Sequence, residues 1–254
     1  MFVYKIKIVF LTSQCMKSEM DYAIIAAGEG SRLVEEGVKI PKPLIPIHGI
    51  PLIDRLVRVF IANDATSIHV IVNEEMTEVQ EYLKKMVLPV PFDLHIQSTP
   101  SSMHSFYELS RYLRDDRVCL TTVDTIFQAD EFAQYIQAFL STDLLDGMMA
   151  VTDFVDDEKP LYVQTDENLM IRGFLDYFEP GCRYISGGIY CLKRKGIDVL
   201  HEAMKEGISR MRNYQRKLVE KGLLLGAFPF SKIIDVDHVD DIEKARTFLT
   251  SAGL

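Results

Sequence analysis

Two rhythms of apolar and polar positions run along this chain. Compact apolar runs at 23–27, 67–72, 92–97, 118–123 and 146–152 predict strands. Between them the apolar spacing becomes helical. Residues 53, 56, 57, 60 and 61 are apolar, with Asp54 near the start, which predicts a helix over 53–61. Similar spacing predicts helices over 75–86, 104–113 and 130–139. Strand alternating with helix predicts an α/β chain, a Rossmann-like three-layer α/β/α arrangement around a mostly parallel mixed sheet. Ligands in such sheets sit at the C-terminal ends of strands. Gly28, Asp124 and the loop after Gln97 fall at such ends.

Past residue 152 the rhythm changes. A hairpin with a polar turn is expected over 161–171, then a strand over 184–192 that carries Gly187 and Gly188. Glycines inside a strand mark a bulge or a close approach of backbone to ligand. The spacing then predicts helix from 197 to 220, strands over 223–228 and 233–236, and a last helix over 239–249. No repeat or low-complexity linker interrupts the chain. The reading is a single domain over 20–254. Residues 1–19 are apolar with interspersed lysines, too broken for a signal-peptide core. They are expected to be an upstream extension, with Met20 as the natural start.

The chemistry concentrates at 21–33. A strand empties into Gly28-Glu29-Gly30-Ser31-Arg32, and Lys42 follows in Pro41-Lys42-Pro43-Leu44. The glycines let the backbone turn tightly and bring its amides near an anion. Arg32 and Lys42 add fixed positive charge. A dinucleotide-binding turn would need a third glycine where Leu33 stands and an acid about 20 residues on. The stretch Ile47-His48-Gly49-Ile50-Pro51 has no acid, and there is no Gly-x-x-x-x-Gly-Lys-Ser/Thr loop. A nucleoside triphosphate suits the turn better than a nicotinamide cofactor.

Ala26-Ala27-Gly28-Glu29-Gly30-Ser31-Arg32-Leu33, followed by Pro41-Lys42-Pro43-Leu44, resembles the signature of the nucleotidyltransferases that make nucleotide-activated sugars and alcohols. These are the sugar-1-phosphate nucleotidylyltransferases and their phosphocholine cytidylyltransferase relatives. The resemblance extends over about 20–250. It implies an Mg2+-dependent transfer from a nucleoside triphosphate to a phosphorylated sugar or alcohol, with Arg32, Lys42 and Asp124 as catalytic residues. Ala26, Ala27, Gly28, Gly30, Ser31 and Arg32 would hold the nucleotide. Gly187 and Gly188, in a subregion over about 155–195, would face the acceptor. Asp124 and Asp235 would bind the metal, with Asp237 in reserve; were the strand to end at Val236, Asp237 would instead cap the last helix. Ser101 and Ser102 either read the base or cap a helix. The expected Gly-Thr-Ala base-reading element and the Glu-Lys-Pro acceptor element are both missing, so an ordinary hexose 1-phosphate fits less well. A catalytically silent, nucleotide-sensing homologue is the rival reading.

Composition narrows the partners. The chain of 254 residues carries 28 basic and 37 acidic residues, a net charge of −9. With no basic block, nucleic acid is not the expected partner. No apolar run reaches membrane-spanning length. Cys15, Cys119, Cys182 and Cys191 show no zinc-ligand spacing, and the reducing cytoplasm is the expected compartment.

Overall fold

A computed structural model describes residues 19–156 and 158–250. The extension expected over 1–19 lies outside the described residues apart from Glu19. The sheet is built on β1 (Asp21–Ala26), whose side chains are buried on both faces. Such a strand needs apolar residues at every position, hence an unbroken run and not an alternation. β4 (Ser67–Val72) and β6 (Arg117–Thr122) flank it in parallel, and β5 (Phe92–Ile96) extends beyond β4. β11 (Tyr184–Lys193) pairs antiparallel with β6 and, on its other edge, with β8 (Gly147–Thr152). β12 (Leu225–Phe230) joins β8 in parallel, and the hairpin of β9 (Tyr162–Thr165) and β10 (Ile171–Leu175) completes nine strands. Two ribbons stand apart: β2 (Pro46–Ile47) with β3 (Ile50–Pro51), and β7 (Thr125–Ile126) with β13 (Ile234–Asp235).

The period of two in β1 sends Tyr22, Ile24 and Ala26 to one core and Ala23 and Ile25 to another. The first core packs against α2 (Leu52–Ala62), α3 (Thr77–Lys84), α5 (Ala129–Leu140) and α8 (Val239–Thr250). The second packs against α4 (Ser102–Ser110), α6 (Arg194–Lys205) and α7 (Met211–Glu220). Helices on both faces of one mixed sheet make the expected three layers. α1 (Ser31–Glu35) and a 3-10 turn at Lys42–Leu44 are too short for periodicity to reveal. No helix among the described residues is long and apolar enough to cross a membrane.

One expected element divides. The helix expected over 197–220 is two, because Gly207 takes φ +80° and ends α6. Its N–H bonds Met204 O, and the next N–H, from Ile208, reaches back to Ala203 O. That pair of bonds closes a helix C-terminus around a left-handed residue. The break turns the start of α7 toward the sheet's C-terminal edge, where the site lies.

Candidate active site

At the C-terminal ends of β1 and β6 a cleft of about 400 Å³ is lined by Ala27, Gly28, Gly30, Ser31, Lys42 and Asp124. Two further cavities adjoin it. One of about 340 Å³ shares Ser101 and Ser102 with the cleft and adds Gly188, Arg210 and Asp235. Another of about 270 Å³ holds Gly187, Arg32, Asp235 and Asp237. Together they form a branched crevice centred on the carboxylates.

Lys42 is the centre of its charge pattern. Only 8% of Lys42 is exposed. Its Nζ donates to Asp124 Oδ2 at 2.6 Å and to Asp237 Oδ1 at 2.7 Å. Burial would pull the ammonium's pKa down, but the Asp124 and Asp237 carboxylates outweigh burial and hold it above its ordinary value. Asp237 Oδ2 also accepts from Arg32 at 2.9 Å. Asp237 therefore does not cap the last helix. Glu36 does so: its Oε2 accepts from Val239 N at 2.7 Å while Oε1 takes His238 Nδ1 at 2.6 Å. The Asp237 and His238 amides are met by Asp241 Oδ2. With those donors satisfied, the Asp237 carboxylate is free for the two cations.

The two candidate metal acids come together through the small ribbon. Asp235 pairs with Thr125, and Val236 N donates to Asp124 O at 3.1 Å. Asp124 Oδ1 is buried with no hydrogen-bond partner among the described residues. A buried oxygen left so costs roughly 1–3 kcal/mol, a cost that a cation beside it would remove. Asp235 is exposed where it lines two of the three cavities. Partial desolvation there, with the Asp124 and Asp237 charges beside it, pushes its carboxyl up to about 8. No group of three His, Cys, Asp or Glu among the described residues is arranged for a metal. The pair therefore suits an ion that takes its remaining ligands from water and phosphate.

The glycines differ in their reasons. Gly30 sits at φ +63°, and a Cβ there would lie 3.3 Å from Lys42 Cβ. A Cβ at Gly28 would meet nothing within 4 Å and would project into open space at the cleft. Gly30→Ala is expected to cost about 1–2 kcal/mol of stability from the left-handed backbone alone. Gly28→Ala should leave urea unfolding unchanged but lower nucleoside triphosphate affinity, as a titration would read. Equal affinity in Gly28→Ala and wild type would mean that no nucleotide lies on that turn. A Cβ at Gly187 would meet the tip of Ile233, Cδ1, at 2.2 Å and Ala150 O at 3.2 Å, so the Ile233 side chain would have to shift; Gly188, at φ +74°, belongs to an irregularity in β11.

The other expected residues scatter around this centre. Ala26 has its side chain in the core, while Ile25 and Ala27 line the cleft, as strand alternation requires. Arg32 lines the third cavity with Asp237 and not the glycine cleft. Ser101 is the N-cap of α4, and its Oγ donates to Ser209 O at 2.5 Å, so the capping alternative describes it. Ser102 faces both the cleft and the second cavity. Sequence reading missed Arg210, which precedes α7 and whose guanidinium has no hydrogen bond or ion pair among the described residues. The Gly207 helix stop was the signal that could have found it.

Comparison with known proteins shows the family and the fold. Residues 22–171, more than half of the chain, match the MobA-like NTP transferase domain. The chain is 27% identical over 232 residues to the bifunctional protein GlmU of Methanococcus maripaludis (strain C7 / ATCC BAA-1331), covering 89% of this chain and 54% of that protein. It thus spans about half the length of the curated relatives it matches. Among solved structures, the inositol-1-phosphate CTP transferase from T. maritima superposes with a TM-score of 0.75 at 17% identity, over 91% of this chain and 96% of that one. A UDP-glucose pyrophosphorylase complexed with UDP-glucose does so with a TM-score of 0.76 at 14% identity, over 92% and 99%. Identities this low carry the fold alone. The family match takes in the glycine turn, Lys42 and Asp124, so the chain belongs to the MobA-like NTP transferase domain family of nucleotidyltransferases.

Proposed function

We propose that this protein condenses a nucleoside triphosphate with a phosphorylated sugar or alcohol, giving a nucleotide-activated product and pyrophosphate. A phosphate oxygen of the acceptor attacks the α-phosphorus. A new P–O bond forms there, and the bond to the bridging oxygen breaks, its electron pair leaving with pyrophosphate. Such a transfer needs positioning and charge neutralisation more than a covalent nucleophile. The observation that carries this reading is the buried Lys42 ammonium, held at the edge of the glycine cleft between Asp124 and Asp237.

Each residue has a role in this reading. Lys42 steadies charge on the α-phosphate or the acceptor phosphate. Arg32, released from Asp237, does the same for the departing pyrophosphate. Gly28 and Gly30 keep the turn bare against the nucleotide. Gly187, Gly188 and the uncommitted Arg210 border the acceptor cavities, and Arg210 offers a cation to an incoming phosphate. Asp124 and Asp235 would hold magnesium: Asp124 Oδ1 lacks a donor among the described residues, and magnesium favours one or two carboxylates plus water and phosphate oxygens. When bound, it offsets negative charge on the triphosphate.

A thermal-shift panel of four nucleoside triphosphates and NAD, each with and without magnesium, tests the proposal. Ligand at 100 times its dissociation constant stabilises by about 2.7 kcal/mol. The expected result is stabilisation by a triphosphate with magnesium, lost in Asp124→Ala. A shift with NAD alone would overturn the reading. Triphosphate binding without pyrophosphate release, across a panel of sugar and alcohol phosphates, would favour the nucleotide-sensing rival.

A further inference from the structure

Asp124 and Asp235 come from distant parts of the chain, yet one cation would need both in a fixed relation. Asp124 stands on the turn between β6 and β7, and Asp235 ends β13. One buried side chain reaches the frame of each. Thr125 is 1% exposed. It follows Asp124 directly and faces Asp235 across the antiparallel ribbon. Residues directly opposite on such a ribbon point to the same side, with Cβ atoms about 5 Å apart. The Asp235 carboxylate accepts a hydrogen bond from the Thr125 side chain. That one bond is outweighed by lost hydration and by the Asp124 and Asp237 charges, so it orients the carboxylate without making it comfortable.

The Thr125 hydroxyl has a second partner. Its Oγ1 lies 2.8 Å from Oγ1 of Thr122, the last residue of β6. Geometry alone allows either oxygen to donate there, and a count of protons decides between them. In the ionised form that takes up a metal, a carboxylate only accepts, and a hydroxyl has one proton. Thr125 gives its proton to Asp235, so Thr122 gives its own to Thr125. The result is one directed chain from Thr122 through Thr125 to Asp235. Its first link closes the turn that carries Asp124, and its second holds the carboxylate of Asp235. Thr122 lines the cleft and the second cavity. With its proton committed, it offers a ligand lone pairs only.

We infer that Thr125 is a positioning residue for the metal, whose hydroxyl fixes the Asp235 carboxylate relative to Asp124 so that both acids meet one divalent cation. The inference rests on the nucleotidyltransferase reading above and adds to it a residue that touches neither substrate nor ion. A carboxylate free to rotate must lose that freedom when it binds, whereas a bonded one has lost it already. The donor is also neutral, so it does not repel an incoming cation as an ammonium would.

Mn2+ stands in for magnesium, since both suit carboxylate and water oxygens. Its binding to the full chain is measured by loss of the free-ion electron paramagnetic resonance signal. Wild type, Thr125→Val, Thr125→Ser and Asp235→Asn are compared, each first shown to be folded by circular dichroism. Thr125→Val keeps the shape and removes the hydroxyl, while Thr125→Ser keeps the hydroxyl. Removing the hydrogen-bond partner of a metal ligand costs about 10- to 100-fold in affinity. Thr125→Val should therefore bind Mn2+ at least about tenfold more weakly than wild type, and Thr125→Ser within about threefold of it. Asp235→Asn should bind most weakly of all. Thr125→Val matching wild type overturns the inference and leaves the transferase reading standing. Equal losses in Thr125→Val and Thr125→Ser also overturn it, because the fit of the whole side chain, and not its hydroxyl, would then set the affinity. If wild type binds no Mn2+, or Asp235→Asn binds it equally well, the magnesium role proposed above falls together with this inference.

Discussion

Lys42→Met is expected to lower turnover about 10²- to 10³-fold, the loss found when a single preorganised charge-stabilising donor is removed from a transition state. The same change should destabilise the empty protein. Lys42 is the buried ammonium between two carboxylates, and without it Asp124 and Asp237 face each other with Asp235 nearby. Breaking a buried pair from one side costs about 3–5 kcal/mol. The exposure of Asp237, 42% of its side chain, should hold the loss near the lower end. Magnesium should stabilise Lys42→Met more than wild type, because the acids no longer have an ammonium to exchange. Lys42→Arg keeps the charge but must fit a planar fork into the space of a point charge, so it should restore stability better than turnover. Urea unfolding with and without magnesium, beside steady-state rates, checks all of this. Wild-type turnover in Lys42→Met would remove this residue from the mechanism.

Asp235→Asn should act in opposite directions on activity and stability. In the empty protein the Asp235 carboxyl is pushed up to about 8, whereas an unfolded chain ionises it near 4. Here the folded state holds the proton more tightly. The destabilisation from the charged form is absent below about pH 4, grows across the window up to about 8, and is complete above it. Asp235→Asn should therefore match wild type at pH 4.5 and exceed it at pH 8.5. Because the side chain touches solvent, the gain is set at about 1–2 kcal/mol, well under what the full shift would give. Turnover should fall by about the same factor as in Lys42→Met. Urea unfolding in a chelator at the two pH values reads the gap, and magnesium at pH 8.5 should narrow it by stabilising wild type alone. A variant less stable than wild type at both pH values would mean that the carboxylate already has stabilising partners, and the metal role would fail.

Much of this site was legible in the chain. The apolar runs before Gly28 and Asp124 are buried on both faces, and such strands cannot hide in alternation. Gly30 was legible because only glycine sits comfortably at φ +63° beside Lys42. What local pattern could not carry was pairing over distance. Lys42 and Asp237 lie 195 residues apart, and Arg32 and Asp237 lie 205. Asp237 before a helix reads as a cap until Glu36, from another element, is seen to take that duty. The divided helix was readable but overlooked: a lone glycine followed by an apolar residue closed α6.

The ribbon that joins Thr125 to Asp235 also sets a timetable. Ribosomes deliver the chain from its N-terminus, and domains assemble as their parts emerge. The glycine turn, Lys42 and Asp124 emerge first, and β7 then waits for a partner strand that begins at Ile234. Until that strand arrives the nascent chain has the cations and one acid of the site but neither Asp235 nor Asp237. A release product ending near residue 171 would keep the whole stretch by which the family is recognised and would lack both late acids. Arrival of β13 and the residues just after it is thus the event that arms the site, and the matched segment alone is no measure of whether a shortened chain can work.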